Sequence, residues 1–285
     1  MKVAVIGANG QLGSDIIKEF KLAGDDVSGI NHCDVEIYDI DSVNSIFKLI
    51  KPDLVVNTAA YHNVEKCEQN ALRAYQVNSM GARNLAMACN DQDIYLVHIS
   101  TDYVFNGNQN VPYLETDLAK PLNVYGNTKL SGEHHIESIA EKYMILRTSG
   151  LYGKSPCRAK GGLNFVQLML KLAKERDEIR VVDDEILTPT NTAELARQIV
   201  KIKHPDVYGL AHATAECMCS WYQFAREIFE ITGTKINLQV ASQDEFPSKV
   251  NRPDYSVLEN SLLKQYNLNV FNHWETGLKE YLLPE

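Results

Sequence analysis

Lys2-Val3-Ala4-Val5-Ile6-Gly7-Ala8-Asn9-Gly10-Gln11-Leu12-Gly13 opens the chain, and its reading decides the fold. The apolar run before Gly7 is the pattern of a parallel strand buried on both faces. From Leu12 onward the apolar residues fall at helical spacing, with Leu12, Ile16, Ile17 and Phe20 on one face. Between the two lies G-x-x-G-x-x-G. Glycine triplets alone are a weak signal, but a strand before and an amphipathic helix after supply the context a dinucleotide site requires. Gly7 permits the tight turn. Gly10 lets the backbone approach a pyrophosphate held at the helix N-terminus, and Gly13 lets helix and strand pack closely. Asn9 falls in the same turn as a candidate cofactor residue, and a plain tight turn is the bland alternative.

The pattern repeats outward from there. Strand-like runs follow at 26–30, 53–58, 94–100, 144–148 and 179–182, with helix-like stretches at 41–50, 71–89, 123–142 and 164–174. This alternation predicts an α/β protein built on a Rossmann-type doubly wound parallel sheet. Residues 1–150 read as the dinucleotide-binding domain. Beyond about 150 the regularity weakens, so 151–285 reads mainly as a smaller C-terminal α/β substrate lobe, with some segments returning to the Rossmann sheet. Within it a loop is expected over 153–162, a helix over 192–202, and another that Ser220 caps and Gly233 ends.

Composition narrows the class. The chain has 285 residues and a net charge of −9 from 37 acidic and 28 basic side chains. General nucleic-acid binders are normally basic, so that class is disfavoured. No apolar run reaches the ~18 residues of a membrane helix. The run after Lys2 is too short for a secretory signal, so a cytoplasmic protein away from membranes is expected. Cys33, Cys67, Cys89, Cys157, Cys217 and Cys219 form no C-x-x-C pair, and Cys217-Met218-Cys219 lacks the second cluster of a zinc site. Reduced, mostly buried thiols and no bound metal are expected. His134-His135 reads as surface, and Trp221, Tyr222 and Phe224 as core.

Residues 121–129, Pro-Leu-Asn-Val-Tyr-Gly-Asn-Thr-Lys, open a helix on which Tyr125 and Lys129 share a face. A phenol is a poor acid at neutral pH, and a neighbouring ammonium brings it toward the working range. The same lysine can reach a nicotinamide ribose. The spacing is common, and an exposed helix pair is the ordinary reading. Two features raise it. Gly126 and Gly132 sit inside the helix, where each costs about 1 kcal/mol relative to alanine, which suggests another backbone or a ligand pressing close. Ser100-Thr101-Asp102 ends the fourth strand, at the sheet edge where open α/β folds bind ligands. A hydroxyl there can stabilise a developing oxyanion. Thr101, Tyr125 and Lys129 thus form a candidate hydride-transfer centre. The second strand ends Ile30-Asn31-His32, with Asn31 where an acid would favour NAD and with no arginine. That tilts the expectation toward NADP(H), with NAD(H) as the alternative, and with Asn31 as a mere turn residue as the bland reading.

These residues resemble the extended short-chain dehydrogenase/reductases and, within them, the dTDP-4-dehydrorhamnose reductases. The resemblance runs through 7–13, 57–61, 64–68, Asn78 with 83–86, 147–153, 164–166 and 252–258, and is strongest over 100–107 and 121–133. It implies NAD(P)H-dependent reduction of the C4 ketone of a dTDP-linked 6-deoxyhexose, with Thr101, Tyr125 and Lys129 as catalytic residues. It places Gly10, Gln11 and Leu12 at the cofactor diphosphate, and Glu36-Ile37 near the adenine. It puts Ala59-Ala60-Tyr61 and Asn78 along the cofactor, and Thr101, Asp102, Tyr103, Asn164 and position 150 at the sugar. Arg252 becomes a candidate for the substrate diphosphate, alongside Arg158 and Lys160. The expected partner is a dTDP-linked or similar nucleotide sugar, with a homodimer left open.

Some positions depart from the family pattern. Gly150 stands where a pocket tryptophan is usual, Glu185-Ile186-Leu187-Thr188 replaces a Gln-x-Gly-x run, and 156–162 looks inserted. Two alternatives follow. One is a sugar-nucleotide epimerase or dehydratase of the same superfamily, although Tyr103 after Asp102 breaks the acidic pair typical of dehydratases. The other is a non-catalytic regulatory subunit resembling the methionine adenosyltransferase beta chain.

Overall fold

Residues 1–157, 161–204, 207–241, 245 and 250–283 are described by the computed structural model of the chain. The N-terminal part alternates as read: β1 (Lys2–Ile6), α1 (Gln11–Leu22), β2 (Asp26–Ile30), α2 (Ile40–Ile50), β3 (Leu54–Asn57), α3 (Val64–Gln69), α4 (Ala71–Tyr75), α5 (Gly81–Asp91), β4 (Tyr95–Thr101), α6 (Val124–Ile139) and β5 (Tyr143–Thr148). The remainder holds β6 (Leu151–Tyr152), α7 (Phe165–Glu175), β7 (Glu178–Val182), β8 (Ile186–Leu187), β9 (Thr190–Asn191), α8 (Thr192–Lys201), β10 (Gly209–His212), β11 (Cys219–Ser220), α9 (Trp221–Thr232), β12 (Asn237–Ala241), α10 (Ser261–Gln265) and α11 (Trp274–Leu282).

The central sheet is parallel throughout, in the order β2-β1-β3-β4-β5-β10. Strand order reverses between β1 and β3, so a crevice opens above the ends of those strands, where doubly wound sheets bind their ligands. One face is covered by α1 and α8, whose Leu12, Ile16, Phe20, Leu195 and Ile199 share a core with Val3, Val5 and Leu54. On the other face Val43, Phe47, Leu85 and Ile136, from α2, α5 and α6, pack over Ala4, Val55 and Leu96. A separate core gathers Val166, Ile179, Phe224, Ile228, Trp274 and Leu278 beyond the sheet.

The structure differs from the sequence reading in two places. The strand expected at 179–182 forms as β7 but pairs with β12 outside the central sheet. Its residues alternate buried and exposed, the pattern of a strand covered on one face only. The sixth sheet strand is instead β10, a Gly-Leu-Ala-His edge segment that no apolar run announces. The helix expected over 71–89 is broken by a π-helical turn at Gln76–Met80. Such turns mark places where a side chain intervenes, and here the Asn78 amide bonds the Tyr61 carbonyl (3.0 Å) and Thr128 on α6 (2.9 Å).

Candidate active site

The glycine turn is built as its residue types require. Gly7 sits at φ 82°, and a Cβ on Gly13 would run into the Gly7 carbonyl. Gly10 caps α1 without a side-chain acceptor, so the first-turn N–H groups of Gln11, Leu12 and Gly13 remain open to an anion. The Gln11 side chain is committed elsewhere: its Oε1 accepts from the Gly153 N–H (3.0 Å) and from Asn164 Nδ2 (3.1 Å).

Above the turn lies a cavity of about 290 Å³. Gly7, Gly10, Gln11, Leu12, Gly13, Ala60, Thr101, Asp102, Tyr103, Tyr125, Lys129, Gly150 and Asn164 all line it. The three side chains read as chemical therefore meet in one hollow, together with the glycine turn. Two close backbone approaches bring α6 there. A Cβ on Gly126 would strike the Tyr103 carbonyl, and one on Gly132 would strike that of Asn78. Asn123 caps the helix by accepting from the Gly126 N–H. Tyr125 therefore stands in the first helical turn, its ring edge-on to Tyr103 at 5.9 Å.

Electrostatics in the cavity are set by burial. It pushes the Tyr125 phenol well above its ordinary value, while a hydrogen bond with the Thr101 side chain pulls it down. The Thr101 hydroxyl donates to Asp102 Oδ1 (3.0 Å) and accepts from the Tyr103 N–H (3.2 Å). Asp102 is 4% exposed, and burial raises its pKa. Hydroxyls from Ser256 (2.6 Å) and Ser149 (2.8 Å) also satisfy it and act against that rise. Asp102 thus orients Thr101, with its other oxygen held by two serines. Lys129 is 1% exposed, and burial lowers its pKa from 10.5 to about 8. Its ammonium nitrogen bonds the Ile99 carbonyl (2.6 Å) and His98 Nε2 (3.0 Å) rather than the phenol.

Other candidates stand apart from the cavity. Asn9 is exposed. Ile37 is core, packed on Gly81. Asn78 braces the loop behind Tyr61, accepting from its N–H (2.8 Å), and so serves the cavity wall indirectly. Ala59 gives its N–H to Asn57 (3.1 Å). Asn164, although it lines the cavity, is occupied as the cap of α7 and by Gly153 and Tyr281. Arg252 lies beside Glu185, whose carboxyl burial raises and Arg252 lowers, and its Nε is buried without a partner. Arg158 and Lys160 fall outside the described residues.

The end of β2 holds a group the sequence hid. Asn31 Oδ1 is buried with no partner, an acceptor left for a ribose hydroxyl. Glu36 bonds His32 Nε2 (2.6 Å) and Arg73 (3.4 Å), and the Arg73 guanidinium covers the Tyr38 ring at 4.6 Å. The arginine missing from the strand end thus arrives from α4, about 40 residues on. Together with the uncapped α1, this fits a phosphorylated dinucleotide. Trp221 packs against the core as read and also lines the cavity. It packs on Phe165 at 4.5 Å and donates to Glu185 Oε2 (3.1 Å). Gly150 is left-handed at φ 57°, and a Cβ there would lie 3.0 Å from Leu187 Cδ1 and Pro189 Cα. A tryptophan does not fit on that backbone, and Trp221 brings an indole to the cavity from α9 instead.

Comparison with known proteins places the chain in a family. Residues 1–284 match the RmlD substrate binding domain family. Spore coat polysaccharide biosynthesis protein SpsK of Bacillus subtilis is 39% identical over 99% of this chain and 96% of its own. A dTDP-4-keto-6-deoxy-D-glucose reductase of Streptomyces niveus is 34% identical over 97% of this chain and 94% of its own. The crystal structure of a dTDP-4-dehydrorhamnose reductase from Bacillus anthracis in complex with NADP superposes with a TM-score of 0.95 at 37% identity, covering 100% of this chain and 99% of that one.

Proposed function

The chain belongs to the RmlD substrate binding domain family, and from that membership and the cavity we infer that Thr101, Tyr125 and Lys129 carry out its reaction. The protein is an NAD(P)H-dependent reductase of a 4-keto-6-deoxy nucleotide sugar, with dTDP-4-dehydrorhamnose as its first substrate and NADP(H) as its favoured cofactor. Relatives named as dTDP-sugar reductases along nearly their whole length support this, and the epimerase and regulatory-subunit alternatives are not favoured.

When bound, the cofactor supplies a hydride to the sugar's C4 carbon. The chain's own residues handle the proton and the charge. Burial keeps the Tyr125 phenol protonated and raises its pKa, against the expected lowering by Lys129, whose nitrogen is held by Ile99 and His98; it is the group that gives its proton to the C4 oxygen. Lys129, with its ionisation brought near the working pH, is the group that returns a proton to the phenolate left behind. The single Thr101 hydroxyl hydrogen lies on Asp102. It turns to the substrate oxygen only by releasing Asp102, which Ser149 and Ser256 still hold on its other oxygen. The open N–H groups of α1 receive the cofactor diphosphate, and Asn31 with Arg73 receives the adenine ribose. Residues 1–150 act as the cofactor domain. The lobe beyond contributes Trp221, Glu185 and Arg252 to the sugar-nucleotide side. A cytoplasmic location belongs to the same proposal, supported by the lack, among the described residues, of any helix long and apolar enough to cross a membrane.

The convergence of the three side chains with the glycine turn in one cavity carries this reading. Its test is the oxidation of NADPH by the purified protein, followed by absorbance, with dTDP-4-dehydrorhamnose. Stoichiometric conversion to the dTDP-deoxyhexose is expected, and no consumption with any dTDP-4-ketosugar would overturn it.

A further inference from the structure

Beneath Lys129 a chain of buried polar groups runs into the sheet. Asn57 (1% exposed), which ends β3, pairs with His98 (1% exposed), midway along β4, and the Asn57 Nδ2 to His98 Nδ1 distance is 3.0 Å. His98 Nε2 lies 3.0 Å from Lys129 Nζ. The direction of each bond follows from one fixed donor. The Ala59 N–H points at Asn57 Oδ1, which makes the other end of that amide the NH₂ group. That NH₂ can only donate, so His98 Nδ1 must accept. A neutral imidazole accepting at Nδ1 carries its hydrogen on Nε2. An Nε2–H facing Lys129 needs a lone pair to receive it. An ammonium has none, whereas an amine has one and still has an N–H for the Ile99 carbonyl at 2.6 Å.

We propose that His98 is a positioning residue that governs when Lys129 holds a proton, because the chain from Ala59 through Asn57 and His98 closes at every link only when Lys129 is an amine. As an ammonium, Lys129 forces the hydrogen of His98 to Nδ1 and the Asn57 amide to turn over, leaving two N–H groups facing each other at Ala59. The inference rests on Lys129 belonging to the reductive site. Its consequence there is that the lysine releases a proton readily to the tyrosine beside it rather than holding it as a fixed charge.

The surrounding groups leave His98 in control. Glu133, one turn along α6, acts to raise the pKa of Lys129, but Arg147 of β5 (2.6 Å) and Ser100 of β4 occupy its carboxylate. Tyr125 on the same helix and Cys67 of α3 are kept uncharged by burial. Asp102 is taken by Thr101, Ser149 and Ser256. Burial and the neighbouring Lys129 hold His98 itself well below the ordinary histidine range, so it acts as a neutral ring.

Histidine-¹⁵N correlation spectra of the full-length protein test this without turnover. At alkaline pH His98 is expected as the Nε2–H form, and as pH falls its hydrogen moves to Nδ1 without the ring becoming charged. An Nδ1–H ring at alkaline pH would overturn the proposal. A second reading comes from the pH profile of kcat/KM. His98→Met removes the donor to the amine, so the alkaline limb is expected to move up by about one pH unit, a tenfold change in the ionisation constant. His98→Gln accepts from Asn57 and donates to Lys129, and so returns the limb toward its original position. A limb unmoved in His98→Met would reduce His98 to packing and sink the idea. If the unaltered enzyme turns over no nucleotide sugar, the reductase reading fails, and the spectra still decide the role of His98.

Discussion

Lys129 is a titratable group almost without water, and its burial is a cost the fold carries for the site. Its folded pKa of about 8 lies below the 10.5 of the exposed side chain. The sign follows from linkage: its contribution is whole above 10.5 and is lost as pH falls toward 8, so at neutral pH it lowers folding stability by about 3 kcal/mol. In Lys129→Met the stem stays and the charge goes. Denaturant unfolding across pH is expected to show the variant gaining about 3 kcal/mol on the parent between strongly alkaline and neutral pH, and a pH-independent difference would refute it. Tyr125→Phe removes only the proton donor, so kcat is expected to fall about 10²–10⁴-fold while cofactor affinity, read by titration, stays within about twofold. At the far end of the crevice, Arg73→Gln deletes the guanidinium beside His32 and Glu36 and is expected to lower the NADPH/NADH ratio of kcat/KM about tenfold, or 1.4 kcal/mol; an unmoved ratio removes Arg73 from cofactor selection. Thr101, Tyr125 and Lys129 were readable because each sits in a local motif. Arg73, His98 and Trp221 were not, because distant segments bring them to the site and nothing in their immediate neighbours marks them; Ser256 lies in the 252–258 block that resembles the family, but its bond to Asp102 is a tertiary contact.

Among the elements, α6 shows how a helix can be weakened locally so that it can be placed. Glycine at 126 and 132 lowers its intrinsic stability, and the structure uses both gaps for backbone contact with Tyr103 and with the π-helical turn at Asn78. Gly132→Ala therefore sets a gain in helix propensity of about 1 kcal/mol against a collision with a carbonyl that the Asn78 brace holds in place. Overpacking of this kind typically costs 1–3 kcal/mol, so a net loss of about 1–2 kcal/mol in denaturant unfolding is expected; a variant more stable than the parent would mean that the turn yields freely. The same glycines were legible as a warning in the sequence, whereas the π turn was not. An Asn amide that interrupts a helix leaves the apolar spacing of 71–89 intact. Strands β1, β3, β4 and β5 were legible as apolar runs because both faces of the sheet are covered there, whereas β2, an edge strand that buries only Ile30, was legible from its place in the alternation. β10 escaped because an edge strand of glycine, leucine, alanine and histidine has neither a run nor an alternation, and β7 was found but assigned to the wrong sheet because register with a partner is a tertiary choice.

For the molecule as a whole, the first helix connects the two halves. The N-terminus of α1 faces the crevice, while its Gln11 side chain holds Gly153 and Asn164 and its Asp15 accepts from Thr192, all from beyond β5. Asn164 in turn reaches Tyr281 on α11 (3.2 Å), so one amide ties the cofactor turn to the base of the substrate lobe. Residues that would grip a cofactor diphosphate by their backbone thus hold the sugar side by a side chain. Gln11→Ala leaves the backbone N–H groups of the turn in place but strips an acceptor from two donors, one of them the backbone N–H of a half-enclosed loop. The Gly153 N–H left unpaired should cost about 1–3 kcal/mol of stability, while Asn164 keeps the Gly153 carbonyl and Tyr281 as acceptors. Function should divide unevenly. Cofactor affinity, measured by titration with NADP+, is expected to change less than about threefold, because the diphosphate contacts remain. The KM for the nucleotide sugar is expected to rise about tenfold or more, because the wall bearing Gly153, Asn164 and the adjoining Phe165 and Trp221 loses its anchor to the cofactor turn. Equal loss on both sides would show that Gln11 serves the cofactor directly; loss on the sugar side alone would show that the lobe is positioned through α1.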